Sequence, residues 1–294
     1  MRHLVLGGTG LVGSHVVEGL LKRGEDVRVM TRSPEKAAAL PDGVVGVVGN
    51  LRNPETYGPV FRDFDNLFLL NLVTEAELQE GLAAFTEARR AGAKRIVYLS
   101  VQHADRGPHV PHFGAKWVIE EAIKASGIPY IILRPSNFYQ NDFFFRQAIL
   151  DYGVYPQPIG DKGLSRVDVR DIGVAAVRAL TGEIPENRTY NLVGPDVLTG
   201  EDTARIYSEV LGREVRYGGD DLAAWYQQAK TMLPPTMAYD FRIMYELFQA
   251  EGLIANDTDL EETETAVGRP PIRFADFAGE VGASWLTENE MPSA

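Results

Sequence analysis

Gly7, Gly10 and Gly13 recur at three-residue spacing in the stretch Gly7-Gly8-Thr9-Gly10-Leu11-Val12-Gly13. They follow an apolar run, Leu4-Val5-Leu6, that reads as a strand, and they open a segment of helical period. In that context each glycine has a task. Gly7 lets the chain turn sharply, Gly10 lets the backbone come close to a pyrophosphate, and Gly13 lets the new helix pack tightly on the strand. The amides from Thr9 through Leu11 and Val12 then face the phosphates, because the first N–H groups of a helix lack partners within it. The competing reading is an ordinary strand-to-helix turn. Placement in the first unit of a βαβ series favours dinucleotide binding.

The end of the second apolar run decides which dinucleotide. A carboxylate about 20 residues beyond the glycines would hold the ribose 2'-hydroxyl of NAD, whereas arginine there favours a 2'-phosphate. Here the chain reads Val29-Met30-Thr31-Arg32-Ser33, with no acid. The planar fork of Arg32 suits a phosphate, and Lys36, in the first turn of the next predicted helix, adds charge. NADP is the expected cofactor, with a solvated loop role for Arg32 as the alternative.

These groups must be carried by a sheet. Apolar runs rich in Val, Ile and Leu alternate with helical segments through the first half: strands are expected at 4–6, 27–30, 44–48, 66–70, 95–100 and 130–133, with helices at 11–23, 34–40, 75–91 and 113–126. That is the pattern of a doubly wound, Rossmann-type parallel α/β sheet. After Arg134-Pro135 the texture becomes aromatic and then helical, which implies a smaller, mostly helical C-terminal substrate lobe. One more strand at 189–193 suggests that the lobe interleaves with the sheet. Expected boundaries are a nucleotide-binding domain over 1–150, regained at 165–195, and a smaller lobe over 151–294. The acidic stretch 257–264 reads as a solvated helix face or loop.

Composition narrows the function. The 294 residues carry 29 Lys plus Arg against 41 Asp plus Glu, a net charge of −12, so nucleic acid is not an expected partner. There is no cysteine, which removes disulfides, thiolate nucleophiles and Cys-ligated metals. No stretch approaches a membrane span and the amino end has no signal-peptide pattern, so a cytoplasmic protein is expected. His103, His109 and His112 fall close together with Asp105 and invite a metal reading, but their loop lacks helical His pairing and no metal is expected. A substrate-facing role is kept for His112. Ser100 ends a strand where a polarising hydroxyl would be useful and where a turn former is equally at home.

Beyond the glycine turn, Thr31 to Lys36, Gly49-Asn50-Leu51, Ile96 to Ser100, Lys116-Trp117-Val118-Ile119-Glu120, Tyr130 to Phe138 and Arg273 to Phe277 appear in order. Together they resemble the NmrA-like group of atypical short-chain dehydrogenases/reductases, over nearly the whole chain. The resemblance implies an NADP-binding domain and a small lobe, and it implies either an NADPH-dependent reductase of quinones, dyes and other unsaturated compounds or a non-catalytic redox sensor that binds a protein partner. In the wider superfamily a Tyr four residues before a Lys protonates the substrate. Here Lys116 is present, as holder of the nicotinamide ribose, but His112 stands in the tyrosine's place and becomes the candidate proton donor. Asn50 and Leu51 stand where the group commonly has Asp-Leu, so Asn50 would accept from the adenine amino group through its amide oxygen. Pro135, Asn137 and Phe138 are assigned to the cofactor, while the aromatic run as a whole, 137–145, reads chiefly as core between lobes. The expected activity is hydride transfer from NADPH to an apolar aromatic, quinone-like or carbonyl acceptor. A homodimer or a protein partner stays open.

Overall fold

The computed structural model describes residues 1–290, with side chains placed through Thr287; the last four residues of the expected lobe lie outside the described residues. In chain order the regular elements begin β1 (Arg2–Leu6), α1 (Leu11–Lys22), β2 (Asp26–Thr31), α2 (Pro34–Ala38), β3 (Val44–Val48), α3 (Tyr57–Val60), β4 (Asn66–Leu69) and α4 (Glu77–Arg90). They continue with β5 (Arg95–Leu99), α5 (Pro111–Lys124), β6 (Tyr130–Pro135), α6 (Arg146–Tyr152), β7 (Val154–Tyr155), α7 (Val169–Thr181) and β8 (Arg188–Leu192). The remainder is α8 (Gly200–Leu211), β9 (Arg216–Tyr217), α9 (Leu222–Ala229), α10 (Pro235–Glu251), α11 (Asp257–Val267) and α12 (Phe274–Glu290).

The chain divides into two compact units. The first takes Met1–Pro135, Val169–Leu192 and Glu261–Arg269; the second takes Ser136–Asp168, Val193–Leu260 and the chain from Pro270 onward. Sequence reading put the boundary at residue 150 and the return at 165–195. The observed division falls after Pro135, and the first unit regains the chain twice.

Seven parallel strands form the first unit's sheet in the order β3-β2-β1-β4-β5-β6-β8. The order reverses at β1, which pairs with β2 on one side and β4 on the other. This is the doubly wound Rossmann-type topology, and ligands of such sheets bind beyond the carboxyl ends of the strands at that reversal. The glycine turn follows β1 there. Why the strands read as unbroken apolar runs is now visible. Leu4, Leu6, Leu67, Leu69, Ile96 and Ile132 form one core with Ala84, Phe85 and Ala88 of α4 and Ile119 and Ile123 of α5. Their alternating neighbours, Val5, Phe68, Val97 and Ile131, are equally buried, as side chains of opposite direction must be in a sheet covered on both faces. On that second side α1 and α7 pack together, and Asn66 Nδ2 donates to the Leu180 carbonyl of α7 at 3.1 Å. The acidic stretch is helical, as one of the two readings had it, but not wholly solvated: Glu262 of α11 accepts the Asn191 N–H of β8 at 3.0 Å, and Thr263 is fully buried.

The second unit is mostly helical, with a two-stranded parallel sheet of β7 and β9. Residues 137–145 do not behave as one core segment. Tyr139–Phe145 wind into a 3-10 helix that buries Tyr139, Gln140 and Asp142 while leaving Phe144 85% exposed. Tyr139 packs against Phe274 and Phe277, and Tyr207 stacks on Trp285 with ring centroids 5.7 Å apart. At the centre lies an ion pair between fully buried partners, Arg166 and Asp142, 2.7 Å apart. The Asp142 carboxylate also accepts from Tyr207 at 2.9 Å and Tyr155 at 3.3 Å. The guanidinium reaches Asn137 Oδ1 at 3.0 Å and the Phe138 carbonyl at 2.9 Å. Burial pushes the Asp142 carboxyl above its usual range against the pull of Arg166.

Candidate functional site

Gly7 turns the chain with φ +79°, a conformation unfavourable for any residue with a Cβ, and a Cβ there would also come within 2.8 Å of Leu70. Its carbonyl accepts the Gly10 N–H at 3.0 Å. Gly10 then caps α1 in an extended conformation with no side-chain hydrogen bond. Helical hydrogen bonding begins with the Ser14 N–H donating to the Gly10 carbonyl at 2.9 Å. The amides of Leu11, Val12 and Gly13 precede that bond and have no acceptor in the helix. A Cβ on Gly13 would lie 2.1 Å from the Gly7 carbonyl oxygen, so only glycine permits this closeness of helix and turn. Thr9, Gly10 and Leu11 are exposed, whereas Val12 and Gly13 are buried beneath them. The result is a bare, positively polarised helix start open to an anion.

At the end of the neighbouring β2, Thr31 is buried and Arg32 and Lys36 are exposed. Ser33 caps α2 by accepting the Lys36 N–H at 3.2 Å. Among the described residues neither the Arg32 guanidinium nor the Lys36 ammonium has a hydrogen-bond or ion-pair partner. After β3, half-buried Asn50 turns its amide oxygen inward to accept the Arg52 N–H at 3.0 Å, and the Leu51 carbonyl accepts from Tyr57 at 2.5 Å. One lone pair of Asn50 is therefore committed to the turn, leaving the other for a ligand donor.

The residues expected to do chemistry cluster on β5 and α5. His112 and Lys116, one helical turn apart, share a face of α5 and both are buried. The His112 ring meets Phe113 edge-on at 4.8 Å. Lys116 forms a buried ion pair with Glu77, the first residue of α4, with Nζ to Oε1 at 2.7 Å. Ser100 is also buried, and its hydroxyl donates to Glu120. Glu120 accepts from Arg134 at 2.9 and 2.7 Å in the two-bond fork and from Lys124 at 3.1 Å, and Arg134 extends to Asp105 at 2.9 Å. Burial pulls the Arg134 guanidinium down, but Glu120 and Asp105 more than offset it. The contact with Glu120 ties the Ser100 hydroxyl into this buried network. Burial, followed by the charges of Glu77 and Glu120, pushes the Tyr98 phenol well above its usual range and keeps it neutral. Among the described residues no group of three or more His, Asp or Glu could hold a metal ion.

Pro135 ends β6, and its carbonyl accepts the Gln102 N–H at 2.9 Å. Asn137 and Phe138 belong to the second unit, where both are engaged by Arg166. Sequence reading missed Glu77, Asp105 and Glu120 as partners of the site, and it gave no role to Asn71 or Gln102. Glu77, Asp105 and Glu120 act on Lys116 and Arg134, far along the chain, while Asn71 ties to the nearby Glu77 carbonyl and the Gln102 amide has no partner among the described residues, so no spacing rule marks any of them. Asn71 Oδ1 and both polar atoms of the Gln102 amide are buried without a partner among the described residues. They lie just past β4 and β5, and buried polar groups left open in this way are satisfied by a bound group or ordered water. The bare α1 start and the unpaired cations after β2 fit the phosphates of a dinucleotide, whereas the open Asn71 and Gln102 oxygens are acceptors that suit hydroxyl or N–H donors of a ligand.

The chain is 32% identical to the NAD(P)H azoreductase of Xenophilus azovorans over 94% of its own length and 96% of the relative's. It is also 32% identical to a (4-alkanoyl-5-oxo-2,5-dihydrofuran-3-yl)methyl phosphate reductase of Streptomyces griseus, over 97% and 99% of the two chains. Among solved structures, the NADPH-dependent quinone oxidoreductase of Escherichia coli in complex with NADPH superposes with a TM-score of 0.85 at 23% identity, covering 95% of this chain and 99% of that one. The model of one family, the NmrA-like family, matches residues 2–269. This chain belongs to the NmrA-like family.

Proposed function

We propose that the chain binds NADPH on its first unit and reduces a small apolar acceptor, aromatic, quinone-like or carbonyl in character. The observation that carries this reading is the pairing of the three unbonded amides of α1 with the unpartnered cations Arg32 and Lys36. The amides suit a diphosphate, and the cations suit a further phosphate on the ribose. The two relatives that match at 32% over nearly their whole lengths are reductases, which supports the same reading over a purely regulatory one.

When bound, NADPH supplies a hydride, so the protein's share is positioning, exclusion of water and proton delivery. Gly7, Thr9, Gly10, Leu11, Val12 and Gly13 would hold the diphosphate, Arg32 and Lys36 the 2'-phosphate, and Asn50 with Leu51 the adenine. Lys116 would donate to the nicotinamide ribose. His112, on the same face of α5, would deliver the proton that the reduced acceptor takes up. Ser100 would keep that end of β5 in place through Glu120. The assay is direct: NADPH is mixed with the protein and a panel of quinones, aldehydes and dyes, and loss of the reduced nicotinamide absorbance is followed. Oxidation above background is expected with at least one acceptor class. Tight NADPH binding with no oxidation by any of them would instead favour a redox sensor. His112→Ala is expected to lower turnover by about tenfold or more while leaving the NADPH dissociation constant within about twofold, because proton transfer belongs to the chemical step. An unchanged turnover number would remove His112 from the proton path.

A further inference from the structure

We infer that Glu77 is the positioning residue for Lys116, and that this buried pair, rather than the lysine alone, sets the grip on the nicotinamide ribose; the inference rests on reading the first unit as an NADPH site. Glu77 is 2% exposed and opens α4, where the helix dipole favours a carboxylate. Its Oε1 lies 2.7 Å from the Lys116 ammonium, itself almost completely buried on α5. An ammonium on a four-carbon stem has many rotamers open to it, and burying it needs a counter-charge. Glu77 supplies both restraint and charge. The contact is an ion pair, so the ammonium keeps donors for a ligand while Glu77 fixes its place.

A second observation, on the residue tied to Glu77, points to a ligand. Asn71, in the loop after β4, donates from Nδ2 to the Glu77 carbonyl at 3.0 Å and so ties the first turn of α4 to that loop. The Asn71 Oδ1 is buried with no partner among the described residues. Through Glu77 the open Asn71 acceptor and the Lys116 ammonium are joined in one cluster, which supplies a donor and an acceptor of the kind a ribose hydroxyl, donor and acceptor at once, requires. Asn71, Glu77 and Lys116 thus form one unit, built from the loop after β4, α4 and α5.

The experiment separates the two halves of the cofactor. Adenosine 2',5'-bisphosphate carries the 2'-phosphate and adenine but no nicotinamide ribose, so it reports the Arg32 end alone. Calorimetric titration of the wild type, Glu77→Gln, Lys116→Met and the double variant with both ligands gives a complete cycle. Glu77→Gln is expected to weaken NADPH by about tenfold or more, since small misplacements of a positioning group are costly, while adenosine 2',5'-bisphosphate binds as in the wild type. In the Lys116→Met background the same change should add no further loss, because the group Glu77 holds is gone. The double variant leaves no lone charge buried and keeps the comparison with Lys116→Met open even if Glu77→Gln lowers stability. Unchanged NADPH binding in Glu77→Gln, equal losses in both backgrounds, or equal losses for both ligands would each overturn the inference. A wild-type chain that binds neither ligand overturns the NADPH reading and this inference together, a result easily told from the others.

Discussion

Asp142→Ala is expected to destabilise the protein by about 3–5 kcal/mol, measured as a lower urea midpoint, because it leaves the Arg166 guanidinium buried and unpaired. Against a total stability of about 5–15 kcal/mol this is a large fraction. The size follows from the surroundings. Both partners are fully buried, and the carboxylate has four donors around it: two from Arg166 and one each from Tyr155 and Tyr207. Removing it leaves the buried guanidinium without its counter-charge and takes the acceptor from Tyr207, although Arg166 keeps its bonds to Asn137 and Phe138 and Tyr155 keeps Gln157 Oε1 at 2.7 Å. The same reasoning makes the pair itself a modest asset, since burial already pushes the Asp142 carboxyl up despite its partner. Asp142→Leu combined with Arg166→Met should therefore recover most of the loss. A single variant that unfolds within about 0.5 kcal/mol of the wild type, the range of ordinary surface changes, would show that the pair is not sealed from water.

The second large effect concerns the glycine turn. Gly13→Val should abolish measurable NADPH binding, a loss of about 100-fold or more, and lower stability as well. Already at Cβ the new side chain would sit 2.1 Å from the Gly7 carbonyl oxygen, and that neighbour is backbone, which cannot rotate aside. Either α1 moves away from the turn or Gly7 moves, and both displace the three amides at the helix start. Gly24→Ala is the useful contrast. It too has a positive φ, +72°, but nothing lies near its Cβ and it closes α1 at the far end. Its cost should be limited to backbone strain and should leave NADPH affinity unchanged. Equal binding losses at Gly13 and Gly24 would mean that general loosening, not the amide cradle, governs affinity.

Features carried by neighbouring residues were legible in the sequence, and features assembled from afar were not. The glycine turn, the strands of the first unit and the Arg32-Lys36 pair all sit inside short windows where spacing has direct geometric meaning. The 44–48 strand is found with the same bounds in β3. Helix α7 and the short β7–β9 sheet were not assigned; α7 has a clear helical period and ends before Gly182 with Pro185 beyond, signals the reading passed over, while β7 and β9 are two residues each, too short to show a period. Glu77 reads locally as one more acid on an amphipathic helix, and only α4–α5 packing reveals it as the partner of Lys116. Asp142 sits within an aromatic run that drew attention to its rings, and its partner Arg166 lies on the far side of β7. Ser100 was balanced between a turn former and a polarising hydroxyl; its contact with Glu120, which Arg134 also holds, could not be read from the sequence.

The central claim is that α1 and Arg32 together select a dinucleotide bearing a 2'-phosphate. Calorimetric titration of the wild type and Arg32→Ala with NADPH and NADH tests it most directly. The wild type is expected to prefer NADPH by about tenfold or more, roughly 1.4 kcal/mol, and Arg32→Ala to erase that preference by weakening NADPH while sparing NADH. Equal affinity of the wild type for the two cofactors, or equal losses for both on substitution, would contradict the account.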